Sequence, residues 1–136
     1  MKITEMKPED LKYVLRNPMD PDSVLGEFVP KDKAYAAWYD GSVVGVGGIN
    51  WLWSGVGEAW VLFSKDVKHC KFGIYRATKR ILSQYDSYQR IQATARVDSP
   101  VSCKMLEKLG FEMEGKLRQY SPDGTDNYIY AITKVK

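Results

Sequence analysis

The segment Val56–Phe63, which reads VGEAWVLF, constrains the fold more than any other part of the chain. Written as a β-strand, it is largely apolar on both faces. One face carries Glu58, Trp60 and Leu62, and the other carries Ala59, Val61 and Phe63. A strand of this kind is stable when both faces of its sheet are covered. We therefore expect it at the centre of a layered structure.

The size and composition of the chain predict one domain, residues 1–136, with its own hydrophobic core. Hydrophobic residues make up 44% and charged residues 27%, as in ordinary soluble globular proteins. The longest apolar runs, 34–39 and 59–63, are far shorter than the ~20 residues that cross a bilayer. The N-terminal sequence MKITEMKPED lacks the apolar core of a signal peptide. We expect a cytoplasmic protein that is not inserted in a membrane.

Periodicity and turn residues predict strands and helices that alternate along the chain. The predicted strands are Ile3–Met6, Ala34–Tyr39, Val43–Trp53, Val56–Phe63, Arg90–Arg96, Phe111–Tyr120 and Tyr128–Val135. The predicted helices are one that begins at Pro8, Pro21–Phe28, Ile74–Tyr85 and one that begins at Pro100. This order predicts a mixed α/β architecture, with one sheet and helices on its faces.

Turn and capping residues mark the ends of several of these elements. Asp40-Gly41 is a two-residue hairpin signal. Ser99 is predicted as the N-cap of the helix that Pro100 opens, and Gly110 as its left-handed C-cap. The cluster at 122–124, Pro-Asp-Gly, predicts a turn before the last strand.

The charge of the chain is concentrated in one stretch. The whole chain has a net charge of +3, whereas Lys65–Arg80 alone has six basic residues and one acidic residue, a net charge of +5. A local basic stretch in a mildly acidic body favours a phosphate-binding site over a surface coated to bind DNA. The alternative is a solvated loop and helix face with no ligand.

The few cysteines and histidines exclude the usual metal centres. Cys70, Cys103 and His69 cannot build a CxxC-type zinc site, so no metal is expected. We expect both cysteines to be free thiols in a reducing compartment. A Cys–His nucleophile is disfavoured because the side chains of adjacent residues diverge.

Two segments carry a resemblance to a known family. Residues 105–115 read MLEKLGFEMEG, and 57–63 read GEAWVLF before the basic stretch and an amphipathic helix. Together with the order of the elements, they resemble the GCN5-related N-acetyltransferase (GNAT) superfamily over nearly the whole chain. The resemblance implies a mixed, mostly antiparallel sheet of six or seven strands with about four helices on its faces. It also implies acetyl-CoA as co-substrate.

The resemblance places the coenzyme beside the central strand. The pantetheine arm would pair with backbone amides of that strand where a neighbouring strand splays away. The pyrophosphate would lie at the start of the following helix, where Gly73 allows close approach and Lys68 and Lys71 supply charge. The predicted coenzyme-binding residues are Val61, Leu62, Phe63, Lys68, Lys71, Phe72, Gly73, Ile74, Ser99 and Ser102.

The implied reaction is a direct attack of an amine on the thioester, with catalysis resting mainly on positioning. Backbone donation to the thioester oxygen from the Leu62 region would stabilise the oxyanion. Glu58 lies where some family members place a general base, and it would deprotonate the amine directly or through water. The alternative for Glu58 is an exposed carboxylate at a strand end. Tyr120, Tyr128 and Tyr130 are candidates for the general acid, although strand tyrosines are usually packing residues.

The chain departs from the family pattern at four positions. Cys70 and Tyr75 replace residues of the phosphate loop, where a ring at position 75 would clash with the coenzyme or redirect it. Leu106 stands where the family often has the tyrosine that protonates the leaving thiolate. Ser99 stands where the family often has asparagine. The usual general acid is therefore missing.

The departures at Cys70, Tyr75 and Leu106 favour a second interpretation, a non-catalytic GNAT-fold module with a degenerate coenzyme site. The chain is similar to small GNAT-like proteins of tailed bacteriophages, which implies a phage structural or host-interaction protein in the host cytoplasm or the virion. A third interpretation, a nucleic-acid binder that uses 65–80, lacks a reader motif. An amine acceptor is the partner implied for the enzyme, and dimers common in the family allow a homodimer.

Overall fold

A seven-stranded sheet forms the centre of the computed structural model, which describes residues 1–19 and 30–134. The strands are β1 (Lys2–Glu5), β2 (Ala34–Tyr39), β3 (Ser42–Trp53), β4 (Val56–Phe63), β5 (Arg90–Arg96), β6 (Glu112–Leu117) and β7 (Asn127–Thr133). Their order in the sheet is β1-β2-β3-β4-β5-β7-β6. Only β4 and β5 pair in parallel; the other neighbours are antiparallel. The predicted mixed, mostly antiparallel sheet is confirmed.

Three α-helices lie in the described part of the chain: α1 (Pro8–Arg16), α2 (Lys71–Ser83) and α3 (Pro100–Lys108). A short 3-10 helix, Lys65–His69, connects β4 to α2. The helix predicted over 21–28 lies outside the described residues. None of the helices in residues 1–19 and 30–134 is long and apolar enough to span a membrane.

The α2 helix begins at Lys71, three residues earlier than predicted. The backbone N–H of Cys70 donates to the Val67 carbonyl of the 3-10 helix, and the Cys70 carbonyl accepts from Ile74. The 3-10 helix therefore leads directly into α2. As a result, the part of the basic stretch before Ile74, which was predicted as a loop, is helical over most of its length.

The end of α3 follows the prediction more closely than its start. The Phe111 N–H donates to the Leu106 carbonyl at 3.0 Å, and Gly110 donates to Glu107 at 3.1 Å, which is a Schellman motif. Gly110 has φ 98°, as its cap position requires. Ser99 occupies the N-cap position, but its side chain caps no backbone amide of α3.

The final hairpin differs from the prediction in its lengths. The β6 strand ends at Leu117 rather than near Tyr120. Gln119 has φ 54°, a left-handed conformation that interrupts an extended strand. Tyr120 therefore lies in the connection between β6 and β7 instead of in a strand.

Both faces of β4 are covered, as its apolar pattern predicts. Trp60 and Leu62 pack on the cluster that contains Val14 of α1. On the opposite face, Phe63 packs on the cluster that contains Ile74 of α2. The sheet therefore has α1 on one side and α2 and α3 on the other, which places β4 at the centre of the structure.

Candidate functional site

The parallel pairing of β4 with β5 is short. It comprises Val56–Arg90, Gly57–Ile91 and Glu58–Gln92, and beyond Glu58 the two strands diverge. A cavity of about 460 Å³ lies in this part of the sheet. Residues of both strands, of α2 and α3 and of the β6–β7 connection line it. The predicted splay beside β4 is thus present in the structure.

The hydrogen bonds of β4 show which backbone groups face this gap. The Ser64 N–H donates to the Val44 carbonyl at 2.9 Å, so Ser64 points toward β3. Backbone direction alternates along a strand, and Leu62, two residues earlier, therefore also faces β3. Ala59 and Val61 face the β5 side, and at Val61 the strand β5 has moved away.

Leu62 is thus an exception among the three residues predicted to pair with a ligand. Its backbone groups lie in the ladder with β3, opposite Val46, and cannot reach a ligand in the gap. Phe63 faces the gap side, but its carbonyl accepts a hydrogen bond from the Met19 N–H at 3.0 Å. Val61, whose side chain is 44% exposed, has the predicted orientation.

The opposite wall of the gap is the backbone of β5. The Arg90 N–H donates to the Gly55 carbonyl at 3.1 Å, which orients Arg90 toward β4. By the same alternation, the backbone groups of Thr94 face β4 across the gap. A strand-like ligand with amide groups would therefore meet backbone donors and acceptors on both sides.

The N-terminus of α2 offers an anion-binding arrangement beside the cavity. No side chain caps this end, and no acidic residue lies in its first turn. The amides of a helix's first turn have no partner inside the helix and carry partial positive charge. Lys68, Lys71 and Phe72 are exposed there, and the buried Ile74 lines the cavity.

Gly73 is the third residue of α2 rather than part of a loop. A Cβ atom built on it would lie 3.0 Å from the Cε atom of Met1. The Met1 side chain therefore occupies the space beside Gly73. Neither Gly73 nor Lys68, Lys71 or Phe72 lines the cavity itself.

Tyr75 does not plug the gap. Its hydroxyl donates to the backbone carbonyl of Lys108 at 3.2 Å, and its ring does not line the cavity. The Lys79 ammonium lies 5.9 Å from the centre of the ring. The ring therefore bridges α2 and the end of α3, and the clash expected from the sequence does not arise in the cavity.

The start of α3 supplies two hydroxyl groups to the cavity. Ser99 and Ser102 both line it, and the Ser99 hydroxyl donates to the Ser102 hydroxyl at 2.9 Å. Leu106 also lines the cavity and offers no acidic proton. The start of α3 is therefore polar, while the position of the usual acid is apolar.

Glu58 lies at the last β4–β5 pair, where the gap begins, and it lines the cavity. Its side chain is half-buried, and Oε2 accepts a hydrogen bond from Gln92 Nε2 at 3.3 Å. A carboxylate at this point can receive a proton from a group that enters the gap.

The three tyrosines predicted as candidate acids differ in their surroundings. Tyr130 is fully buried, and its hydroxyl donates to Glu107 at 3.1 Å. Burial raises the pKa of Tyr130. Tyr128 packs beside it, with ring centres 6.5 Å apart. Of the three, Tyr120 lines the cavity, and it is 51% exposed.

Sequence reasoning missed Arg96, which lines the cavity from the end of β5. Its guanidinium donates to Asp98 at 3.0 Å, to Asp123 at 2.9 Å and to Thr125 at 3.1 Å. These hydrogen bonds hold the pKa of Asp123 well below its usual range. Arg96 thus fixes the β6–β7 connection against the start of α3. The sequence signal that could have identified Arg96 was its position at the end of an alternating strand.

The described residues contain no group of three histidine, cysteine, aspartate or glutamate side chains that could hold a metal ion. Both cysteines are free thiols, with Cys70 buried and Cys103 half-buried. Burial raises the pKa of the Cys70 thiol, so at neutral pH it is a poor nucleophile.

Comparison with solved structures identifies the fold. A SpeG spermidine N-acetyltransferase variant from Vibrio cholerae has a TM-score of 0.78 at 11% identity, covering 98% of this chain and 95% of that one. Ard1 from Thermoplasma volcanium has a TM-score of 0.78 at 18% identity, covering 99% and 98%. An acetyltransferase from Bacillus subtilis in complex with CoA has a TM-score of 0.74 at 14% identity, covering 98% and 99%.

The Vibrio and Bacillus structures are acetyltransferases, and the chain has the GNAT fold that the sequence resemblance implied. At such low identity the likeness shows the fold alone. No protein-family model and no curated protein matches the sequence.

Proposed function

We propose that the protein is an acyl-CoA-dependent N-acetyltransferase that transfers the acetyl group of acetyl-CoA to an amine. The observation that carries this proposal is the gap that opens between β4 and β5 beyond the Glu58–Gln92 pair, which the backbone groups of Val61 on β4 and Thr94 on β5 face. The fold supports it, since one neighbour of this fold was solved in complex with CoA. We also propose that residues 1–136 form a single domain and that the protein is cytoplasmic.

The pantetheine arm would occupy the gap as an additional strand. Its amides would pair with Val61 on β4, while Ser99 and Ser102 would contact it from α3. The pyrophosphate would lie at the N-terminus of α2, where the helix amides and the charges of Lys68 and Lys71 favour an anion.

The amine would attack the thioester carbonyl carbon directly. The new C–N bond forms as the C–S bond breaks, and the proton lost by the amine passes to Glu58, directly or through one water. Because Leu62 faces β3, its backbone N–H is not assigned to the oxyanion, and the Val61 N–H is kept for the pantetheine arm. Tyr120 is our candidate to protonate the leaving thiolate, since Tyr128 and Tyr130 do not line the cavity.

The orientation of Tyr75 favours this enzyme over a non-catalytic module. The departures at Cys70, Tyr75 and Leu106 were the argument for the module, and of these the Tyr75 side chain contacts the end of α3 and does not line the cavity. The similarity to phage proteins and the homodimer stay predictions.

Thermal unfolding with acetyl-CoA tests the proposal. A ligand that binds the native state raises the melting temperature, and the stabilisation grows with the logarithm of the ligand concentration relative to Kd. We expect a rise with millimolar acetyl-CoA or CoA and none with acetyl phosphate. In parallel, acetyl-CoA is incubated with polyamines, amino acids and short peptides, and products are detected by mass spectrometry. No melting shift and no acetylated product would contradict the proposed function.

A further inference from the structure

We propose that Gln92 is a positioning residue that holds the carboxylate of Glu58 with one oxygen engaged and the other directed to the substrate amine. This inference rests on the proposed function. Gln92 pairs with Glu58 in the register of β4 and β5, and it does not line the cavity itself. It can therefore influence the reaction only through Glu58.

The orientation of the Gln92 amide is set by its other neighbour. Gln92 Oε1 accepts a hydrogen bond from Arg90 Nε at 3.0 Å. An arginine guanidinium can only donate, so the oxygen of the amide must face Arg90. The Nε2 group is then left to donate to Glu58 Oε2 at 3.3 Å. In a flipped amide, the Nε2 donor of Gln92 would face the Nε donor of Arg90, and its Oε1 would face an oxygen of Glu58.

Arg90 is in turn held at the far edge of the sheet. Its Nη1 and Nη2 atoms donate to the two oxygens of Glu114 at 3.0 and 2.6 Å, a bidentate pair. This contact lowers the pKa of Glu114 and raises that of Arg90. Arg90 is therefore fixed as a cation whose Nε points to Gln92.

A β-bulge frees Glu114 to make this contact. In the pairing of β6 with β7, Met113 lies opposite Tyr130 and Gly115 opposite Ile129, so Glu114 is the extra residue. Bulges commonly redirect a side chain in this way. On β7, the residue opposite Gln92 is Ala131, whose small side chain leaves room above the strand. Four side chains thus form a hydrogen-bonded series from β6 to β4.

The series fixes what Glu58 can do. Because Gln92 presents a donor, the Oε2 atom of Glu58 is engaged as its acceptor. With Oε2 engaged, Oε1 is the oxygen available to the amine or to a bridging water. The edge strand β6 and the central strand β4 are in this way connected through side chains.

Acetyl transfer by variants of two residues tests the inference. Thiol release from acetyl-CoA is followed with the acceptor found in the amine panel. We expect Gln92→Ala to lower kcat roughly tenfold, the order expected for a lost hydrogen bond to a charged group, without changing KM for acetyl-CoA. In a Glu58→Gln background, Gln92→Ala should change kcat less than about twofold. An equal loss in both backgrounds would show a structural role and overturn the inference.

Two further variants separate positioning from packing. Gln92→Glu keeps the size and the acceptor for Arg90 but removes the donor to Glu58, so we expect a kcat at least as low as that of Gln92→Ala. Wild-type activity in Gln92→Glu would overturn the inference. Thr133→Val is the matched control, since Thr133 lies opposite Arg90 on β7 and outside the series. It should retain wild-type kcat.

One readout needs no activity. In the NMR spectrum of 15N-labelled protein, the side-chain amide of Gln92 should shift on Glu58→Gln and on Arg90→Ala, but not on Thr133→Val. If the Gln92 side-chain amide signal does not shift on Glu58→Gln, the inference is overturned, whatever activity the variants have. If the signal responds as expected but no amine is acetylated, the proposed function is the part that fails.

Discussion

The Tyr75 hydroxyl donates a hydrogen bond to the Lys108 backbone carbonyl at 3.2 Å, and this contact joins α2 to the last turn of α3. Position 75 is where the GNAT pattern has a small residue. Tyr75 therefore has a structural role at this position, and its ring leaves the cavity open.

Tyr75→Phe should therefore affect stability rather than coenzyme binding. The variant loses one exposed hydrogen bond between the helices, which we expect to cost up to about 1 kcal/mol. The melting temperature should fall by a few degrees, and the affinity for acetyl-CoA should change less than about twofold. A large loss of affinity, measured by calorimetry, would mean that the hydroxyl contacts the coenzyme.

Val61→Pro tests the open side of β4. Proline removes the backbone N–H that faces the gap, where no strand accepts it, so the protein should fold but lose its stabilisation by acetyl-CoA. Leu62→Pro is the matched control, because it removes an N–H from the ladder with β3 and should unfold the protein. Circular dichroism and thermal unfolding distinguish the two. Full coenzyme binding by Val61→Pro would argue against a pseudo-strand on β4.

Gly73→Val tests the start of α2. A valine there would displace the Met1 side chain and crowd the first-turn amides of α2, where we propose that the pyrophosphate binds. It should weaken acetyl-CoA binding several-fold while the fold is retained. Gly73→Ala is the control: its methyl group would meet only the flexible end of Met1, and alanine favours the helix by up to about 1 kcal/mol. Calorimetric titration of both variants gives the affinities. Equal affinity of Gly73→Val and wild type would show that the phosphates bind elsewhere.

Glu58→Gln should separate chemistry from binding. Loss of a general base lowers the rate by a factor of about 10² to 10⁴. The cavity and the backbone of β4 are unchanged, so the melting shift caused by acetyl-CoA should remain. Rates and melting curves are measured on the same preparation. A variant with wild-type kcat would remove Glu58 from the mechanism.

Asp123→Asn should change the pH dependence of stability. Arg96 lowers the pKa of Asp123 in the folded protein, so the folded state favours the carboxylate. The stabilisation is complete above the unfolded pKa of about 3.9 and is lost as the pH falls through the lower folded value. Asp123→Asn should thus be less stable than wild type at pH 7.

Urea unfolding at several pH values between 7 and 2 measures this difference. It should shrink as the solution becomes acidic and the wild-type carboxylate is protonated. Glu112→Gln, an exposed carboxylate on β6, is the control and should leave the pH dependence unchanged. A constant difference between Asp123→Asn and wild type at all pH values would exclude ionic pairing as its cause.

Much of the fold could be predicted because local signals and long-range packing agree. The bounds of β2, β4 and β5 were predicted from apolar pattern and turns, and Gly110 marked the end of α3 through its left-handed conformation. The start of α2 was misplaced because a 3-10 helix leads into it and no side chain caps its N-terminus. The periodicity of the sequence does not indicate where a 3-10 helix passes into an α-helix.

The site was harder to predict, because it depends on which way each backbone group points. An apolar strand does not reveal that Val61 faces the gap while Leu62 faces β3. Arg96 and Glu114 were missed since their partners are remote in sequence: Asp123 is 27 residues from Arg96, and Arg90 is 24 residues from Glu114. Nor does the sequence indicate the bulge that redirects Glu114.

The short β4–β5 pairing also has a dynamic consequence. In the described part of the chain, the backbone ladder that joins strands β1–β4 to strands β5–β7 consists of three residue pairs. Without ligand, the two halves should exchange their amide hydrogens as separate cooperative units. A ligand that pairs with both strands would make them one unit, so slowed exchange on both sides of the gap would report its arrival.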